Sequence, residues 1–204
     1  YKPGVPLDDL LSIISDIDGW IIRSGTKIQK NHILKAKKLQ VIGRAGVGTD
    51  NIDIESATLN GVVVMNVPDG NTVSAAEHTL AMISALSRNI QLGHMGLING
   101  SWDRHKLVGH ELRGKILGVV GLGKIGREVI KRALSFDMKI LGYDPYVSQD
   151  NFDDSEIKVV SIDELTKSSD YISLHVPFND KTKDLFDLKR MKMMKKTSKI
   201  INVA

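Results

Sequence analysis

Cysteine is absent from the 204 residues. That excludes a disulfide framework and any thiolate metal site. It fits a reducing compartment, so a cytoplasmic protein is expected, and no metal site is expected. Aromatic residues are scarce at 5%. They do not interleave with the basic clusters as a base-stacking surface would require. No cationic start followed by a short apolar stretch is visible, and no apolar run is long enough to cross a bilayer. Neither a secretory leader nor a membrane partner is therefore expected. Acidic residues do not dominate: the formal net charge is +4. Lysines gather at Lys35, Lys37 and Lys38 and again at Lys189, Lys192, Lys195, Lys196 and Lys199. Without a nucleic-acid motif these read as solvated faces and loops, so no nucleic-acid partner is expected. A mildly positive protein suits small anionic ligands. What remains, 42% hydrophobic and 25% charged, is ordinary for a globular protein with one large domain or two small ones.

The most informative stretch is Gly121-Leu122-Gly123-Lys124-Ile125-Gly126. Lys115–Val120 before it reads as a buried strand. Arg127–Leu134 after it reads as an amphipathic helix. Lys139–Tyr143 reads as a second strand, closed by Asp144. Strand, glycines, helix, strand and an acid about 20 residues on form the dinucleotide-binding pattern. Gly121 allows a tight turn out of the strand. Gly123 lets a pyrophosphate approach the backbone. Gly126 lets the helix pack near the sheet. The amides and dipole at the helix start favour phosphate. Asp144 can accept from both ribose hydroxyls and would repel a 2′-phosphate, which selects NAD over NADP.

Elsewhere, strands are expected at Trp20–Arg23, Gln40–Gly43, Val62–Asn66 (buried), Tyr171–Leu174 and Lys199–Val203. A helix over Asn31–Lys38 would turn Ile33, Leu34 and Ala36 inward. Asp53 is a plausible N-cap for a helix to Leu59, with Gly61 as its stop. A long helix, Ala75–Ser87, carries Leu80, Met82, Ile83 and Leu86 around much of its girth, which predicts burial on several sides. Ile90–Ile98 and short helices near Asp163–Thr166 and Asp187–Met194 follow. The alternation implies βαβ units and parallel sheets. The expected break falls at Pro68, giving units 1–67 and 68–204.

Further blocks carry a family resemblance. They are Arg44-Ala45-Gly46-Val47-Gly48-Thr49-Asp50-Asn51-Ile52-Asp53, Asn66 through Glu77, Leu112-Arg113-Gly114-Lys115, Tyr143-Asp144-Pro145-Tyr146 and His175-Val176-Pro177. In order and spacing the chain resembles the D-isomer-specific 2-hydroxyacid dehydrogenases. Its nearest likeness is to the branch that oxidises 3-phosphoglycerate at the head of serine synthesis. The resemblance implies two Rossmann-like α/β domains with a cleft between them: a substrate-binding domain and an NAD-binding domain. It also implies a homodimer or larger homo-oligomer built on the long helix and the loop after it. Trp102 on that loop would pack into the partner or, equally, serve as a cover residue of its own subunit.

The same resemblance implies roles. Backbone at Gly46, Val47 and Gly48 would hold a carboxylate. Arg44 and Arg23 would add charge, and Asn71 would hydrogen-bond the substrate. Arg104 would help bind phosphate, reaching across the dimer into the other subunit's site. For a lone Arg23 or Arg104 the competing role is a solvated surface arginine. Gly121, Gly123, Lys124, Ile125 and Gly126 would take the pyrophosphate, with Val47 also beside the cofactor. Asp144 would take the ribose. His175, Val176 and Pro177 would flank the cofactor, and Val203 and Ala204 would approach the nicotinamide. The competing role for Val176, Val203 and Ala204 is plain packing, and for Lys124 a solvent-facing cation.

The family's polarising Arg, acid/base His and tuning Glu are expected beyond Ala204. None of the six histidines matches the catalytic one. The chain starts at Tyr1 rather than Met and stops after a strand-like segment. A fragment is therefore expected, with both sheets incomplete and no catalytic residue present, which should not turn over substrate by itself. Two alternatives stay open. One is an enzyme of the same family acting on glyoxylate, hydroxypyruvate or D-lactate. The other is an NAD-sensing corepressor scaffold, since fold alone does not fix function.

Overall fold

The computed structural model describes residues 13–149 and 156–204. The chain divides into two compact units, Tyr1–Asn71 and Thr72–Ala204.

In the first unit β1 (Gly19–Ile22), β2 (Val41–Arg44) and β3 (Val63–Met65) form a parallel sheet in that order. Alternation along the strands sends Trp20, Ile22, Ile42 and Val64 to one face. There they join Ile14, Ile28, Ile33, Ala36, Ile52 and Ala57 in one core. Helix α1 (Lys30–Lys35) is shorter than the periodicity predicts. Ile33 and Ala36 are buried as expected, but Leu34 is 52% exposed. One residue beyond Ile33, it sits about 100° further round the helix, off the buried face. Helix α2 (Ile54–Leu59) begins where expected. The Asp53 carboxylate accepts from the Ser56 amide at 2.8 Å and from the Ser56 hydroxyl at 2.8 Å. Gly61 ends it at φ +68, a left-handed conformation that glycine adopts without strain. The segment after it is not a buried strand. Among the described residues β3 is the sheet edge, paired with β2 alone, and Val63 and Met65 are exposed.

The second unit holds α3 (Thr72–Ser87), α4 (Ile90–Ile98), β4 (Ile116–Val120), α5 (Lys124–Leu134) and β5 (Lys139–Tyr143). It continues with β6 (Ile157–Val159), α6 (Ile162–Ser168), β7 (Tyr171–Leu174), α7 (Leu188–Met191) and β8 (Lys199–Asn202). β6 is too short and too charged to stand out in the sequence. α7 stops at Met191, short of the expected Met194, and the chain continues in turns. All strands are parallel, in the order β6-β5-β4-β7-β8. The central strand β4 is therefore bonded on both sides, and its Leu117, Val119 and Val120 are fully buried. Ala76, Leu80 and Ile83 of α3 share a core with Val129, Ile130 and Ala133 of α5. Leu86 lies off that face and is exposed. At the amino ends of the strands, Asp170 accepts from the Ile116 amide and from Lys195 Nζ, both at 2.8 Å. That clamp ties β7 to β4.

The strand order makes the chain cross to one side of β4 for β5 and β6, and to the other for β7 and β8. The gap between the carboxyl ends of β4 and β7 is thus the switch point where open α/β sheets bind ligands. Among the described residues no helix is long and apolar enough to cross a membrane, and no cluster of acids and histidines could hold a metal ion.

Candidate functional site

In the second unit the loop after β4 is built around glycine geometry. Gly121 has φ +97, and a Cβ there would lie 2.5 Å from the His175 carbonyl oxygen. Gly126 would place a Cβ 2.1 Å from the Gly121 carbonyl oxygen and 3.4 Å from Val119. Its absent side chain therefore serves the loop itself as much as helix–sheet packing. At Gly123 a Cβ would meet nothing within 4 Å. Gly123 is the N-cap of α5 and offers no side-chain cap to the helix. Open space over an uncapped, eleven-residue helix start is what a pyrophosphate requires.

Asp144 lies at the carboxyl end of β5, beside this loop. Its Oδ2 accepts from the Leu122 amide at 2.9 Å and its Oδ1 from the Tyr146 amide at 2.9 Å. Each carboxylate oxygen retains a lone pair for a ribose hydroxyl. Arg127 donates from Nε to the Leu122 carbonyl at 3.0 Å and closes the loop from the other side.

After β7 comes His175. Its amide donates to the Val120 carbonyl at 2.8 Å, and its Nε2 shares a 2.8 Å hydrogen bond with Ser173 Oγ. Burial pushes the imidazole down to about 4, so it is neutral near pH 7. The His175 backbone carbonyl packs against Gly121, where a Cβ would lie 2.5 Å from the carbonyl oxygen. Val176 packs in the neighbouring core, and Pro177 is exposed. Past β8, Val203 packs against the main core and Ala204 donates to Asn202 Oδ1 at 3.2 Å. The fold thus gathers the loops of β4, β5, β7 and β8 along one edge of a sheet.

In the first unit two loops leave the carboxyl ends of β1 and β2. Arg23 and Arg44 stand at their roots. The Arg44 guanidinium lies on Gly46, where a Cβ would come 1.5 Å from its Nη1. The Gly46 carbonyl accepts from the Val67 amide at 3.0 Å, and the Val47 carbonyl from Asn66 Nδ2 at 2.7 Å. With these carbonyls fixed, the Val47 and Gly48 amides meet no acceptor among the described residues. Two amides beside a guanidinium form an anion-binding arrangement. Arg44 Nε and Asn51 Oδ1 are the two buried side-chain polar atoms without a partner among the described residues. Both lie in this loop region, and a buried polar atom without a protein partner is one that a bound ligand or water can satisfy. Asn71 closes the first unit. Arg104 lies apart from the glycine loop in a 3₁₀ turn, Arg104–Leu107. With Leu92, Leu97 and Trp102 it lines a cavity of about 320 Å³.

Asn51 stands in the Arg44–Asp53 block, but a buried turn asparagine leaves no periodic signal that gives it a role. The brace from Asp144 to the glycine loop is equally silent in the sequence, because no spacing rule reports a backbone donor.

Comparison with known proteins gives the family and agrees with the fold. Residues 80–204 match the family model "D-isomer specific 2-hydroxyacid dehydrogenase, NAD binding domain". A D-3-phosphoglycerate dehydrogenase of Methanocaldococcus jannaschii is 46% identical over 202 residues, 98% of this chain and 38% of that protein. The NAD complex of a Staphylococcus aureus formate dehydrogenase superposes with a TM-score of 0.86 at 35% identity, covering 96% of this chain and 59% of that one. An Aquifex aeolicus D-lactate dehydrogenase, complexed with NAD and lactic acid, gives a TM-score of 0.84 at 31% identity, covering 98% and 59%. The chain thus spans well under half of the length of the curated relative.

Proposed function

Because this chain belongs to the D-isomer specific 2-hydroxyacid dehydrogenase family and carries its NAD-binding domain, we propose that the protein it represents oxidises D-3-phosphoglycerate to 3-phosphohydroxypyruvate, the step that opens serine biosynthesis. The supporting observation is identity of 40–46%, over nearly the whole chain, to proteins named D-3-phosphoglycerate dehydrogenase. NAD, when bound, supplies the hydride acceptor. The chain's own residues bind and orient. The α5 amides at Lys124 and Ile125 hold the pyrophosphate, and Asp144 holds the adenosine ribose. The Val47 and Gly48 amides take the substrate carboxylate, with Arg44 and Arg23 offsetting its charge and Asn71 adding a hydrogen bond. Fixing the carboxylate fixes C2, and orientation of the reacting carbon is a large part of the rate. Arg104 contributes positive charge to the phosphate.

The subunit arrangement belongs to the same reading. Ile90, Leu92, Leu97, Ile98 and Trp102 are exposed apolar residues on α4 and the loop beyond it. Such a surface suits a homodimer contact.

The test uses the full-length protein with NAD. 3-Phosphoglycerate should be oxidised far faster than D-lactate or D-glycerate. Equal rates with the unphosphorylated acids would overturn the assignment and place the protein with another branch of its family.

A further inference from the structure

We propose that Asn51 is a positioning residue that sets Arg23 against the Arg44–Gly48 loop. The proposal rests on the reading that these two loops receive the substrate anion.

Asn51 is 7% exposed, an unusual depth for a residue in a loop. Its carboxamide nitrogen donates to two carbonyls of the neighbouring loop: Arg23 at 3.1 Å and Thr26 at 2.6 Å. The orientation of the amide is unambiguous. A flipped carboxamide would turn its oxygen on two carbonyl oxygens and lose both bonds. The backbone of the same residue joins in. The Asn51 carbonyl accepts from the Ile28 amide at 2.8 Å, and the Ile28 carbonyl accepts from Asp53 at 2.8 Å. The two loops are therefore stitched together at Asn51 and its neighbours by main chain and side chain at once.

The stitch falls where it matters for charge. Arg23 directly follows β1, and its carbonyl takes both the Thr26 amide at 3.2 Å and the Asn51 carboxamide. That fixes the backbone from which the exposed Arg23 guanidinium is hung. Asn51 also continues the loop that carries Arg44, Gly46, Val47 and Gly48. A shift of either loop would move one arginine relative to the two acceptor-free amides. The Asn51 carbonyl oxygen of the side chain has no partner among the described residues. The carboxamide is thus bonded through its nitrogen alone, and its unpaired oxygen carries a cost.

Asn51 would not touch substrate, so its signature is a split in kinetic constants. In the full-length enzyme Asn51→Ala should raise KM for 3-phosphoglycerate about tenfold, the effect of one or two misplaced charge-assisted bonds. The kcat should change less than about twofold, and NAD affinity by titration should not change, because the glycine loop lies in the other unit. Asn51→Ser, which keeps one donor, should fall between, and it carries the test if the alanine variant does not fold. Arg23→Ala should raise KM by itself, and adding Asn51→Ala to it should change KM by less than about twofold more. If Arg23→Ala raises KM while both Asn51 variants leave it unchanged, or if the two effects multiply, the positioning role is wrong. If Arg23→Ala leaves KM unchanged, the substrate reading of these loops fails, and the proposal with it.

Discussion

Gly126 presses so closely on Gly121 that a Cβ on it would lie 2.1 Å from the Gly121 carbonyl oxygen, while Gly123 between them faces open space. The three glycines of one motif therefore do different work. Gly121 and Gly126 make the loop, and Gly123 leaves room for a ligand.

That difference predicts opposite outcomes. Gly126→Ala should destabilise the domain by about 1–3 kcal/mol, read as a lower urea midpoint, because the backbone must shift. Gly123→Val should leave the midpoint within about 0.5 kcal/mol and reduce NAD affinity at least tenfold, read by fluorescence titration. A Gly123→Val protein that binds NAD normally would show that the pyrophosphate does not sit there.

Gly46→Ala would put a methyl group where the Arg44 guanidinium lies, 1.5 Å from Nη1, on a backbone at φ +155. The arginine must swing away. KM for the acid substrate should rise about tenfold in the full-length enzyme, with NAD affinity unchanged. An unaltered KM would remove Arg44 from the binding arrangement.

His175 gives a pH dependence with a definite sign. Burial holds its folded-state value at about 4, below the unfolded value of 6.5. Between those values the unfolded chain binds the proton and the folded one does not, so stability falls as pH drops from 6.5 towards 4. His175→Gln should flatten this slope, by an amount on the order of 2 kcal/mol across the window, in denaturation curves at successive pH. Asp170 acts in a different window. Burial alone would raise its carboxyl, but the Ile116 amide, Lys195 and the nearby Lys115 charge outweigh that and lower it below 3.8. Its share of stability is present above 3.8 and is lost only as the solution becomes more acidic than that. A slope unchanged by His175→Gln would assign the loss to other groups.

The apolar surface on α4 predicts self-association. Leu97→Glu, at a residue 57% exposed, should shift the sedimentation of the full-length protein towards monomer. Sedimentation identical to the parent would place the subunit contact elsewhere.

Long, strongly patterned elements were legible in the sequence. Periodicity marks α5, a long apolar-rich stretch marks α3, and the unbroken apolar run of β4 marks a central strand. The Asp53 cap and the Gly61 stop followed from local chemistry alone. Edges were harder. Val63 and Met65 read as core because apolar residues look the same on a covered and an uncovered face, and it takes the sheet order to show that β3 has a single neighbour among the described residues. Leu34 failed because a helix of two turns does not define a stripe narrowly enough. Around the candidate site, the glycines were visible and the bonds between loops were not. Asn51 to Arg23 and Asp144 to Leu122 join residues 28 and 22 positions apart, and no spacing rule reports them.

The tether from Asp144 to the Leu122 amide bears on any attempt to redesign coenzyme preference. Replacing the acid with a neutral or basic residue, to welcome an extra phosphate, would also cut the guy-rope of the turn that seats the diphosphate. A swap at this position alone should therefore trade one dinucleotide for a poor grip on both. A working exchange needs a second change that supplies the Leu122 amide with another acceptor.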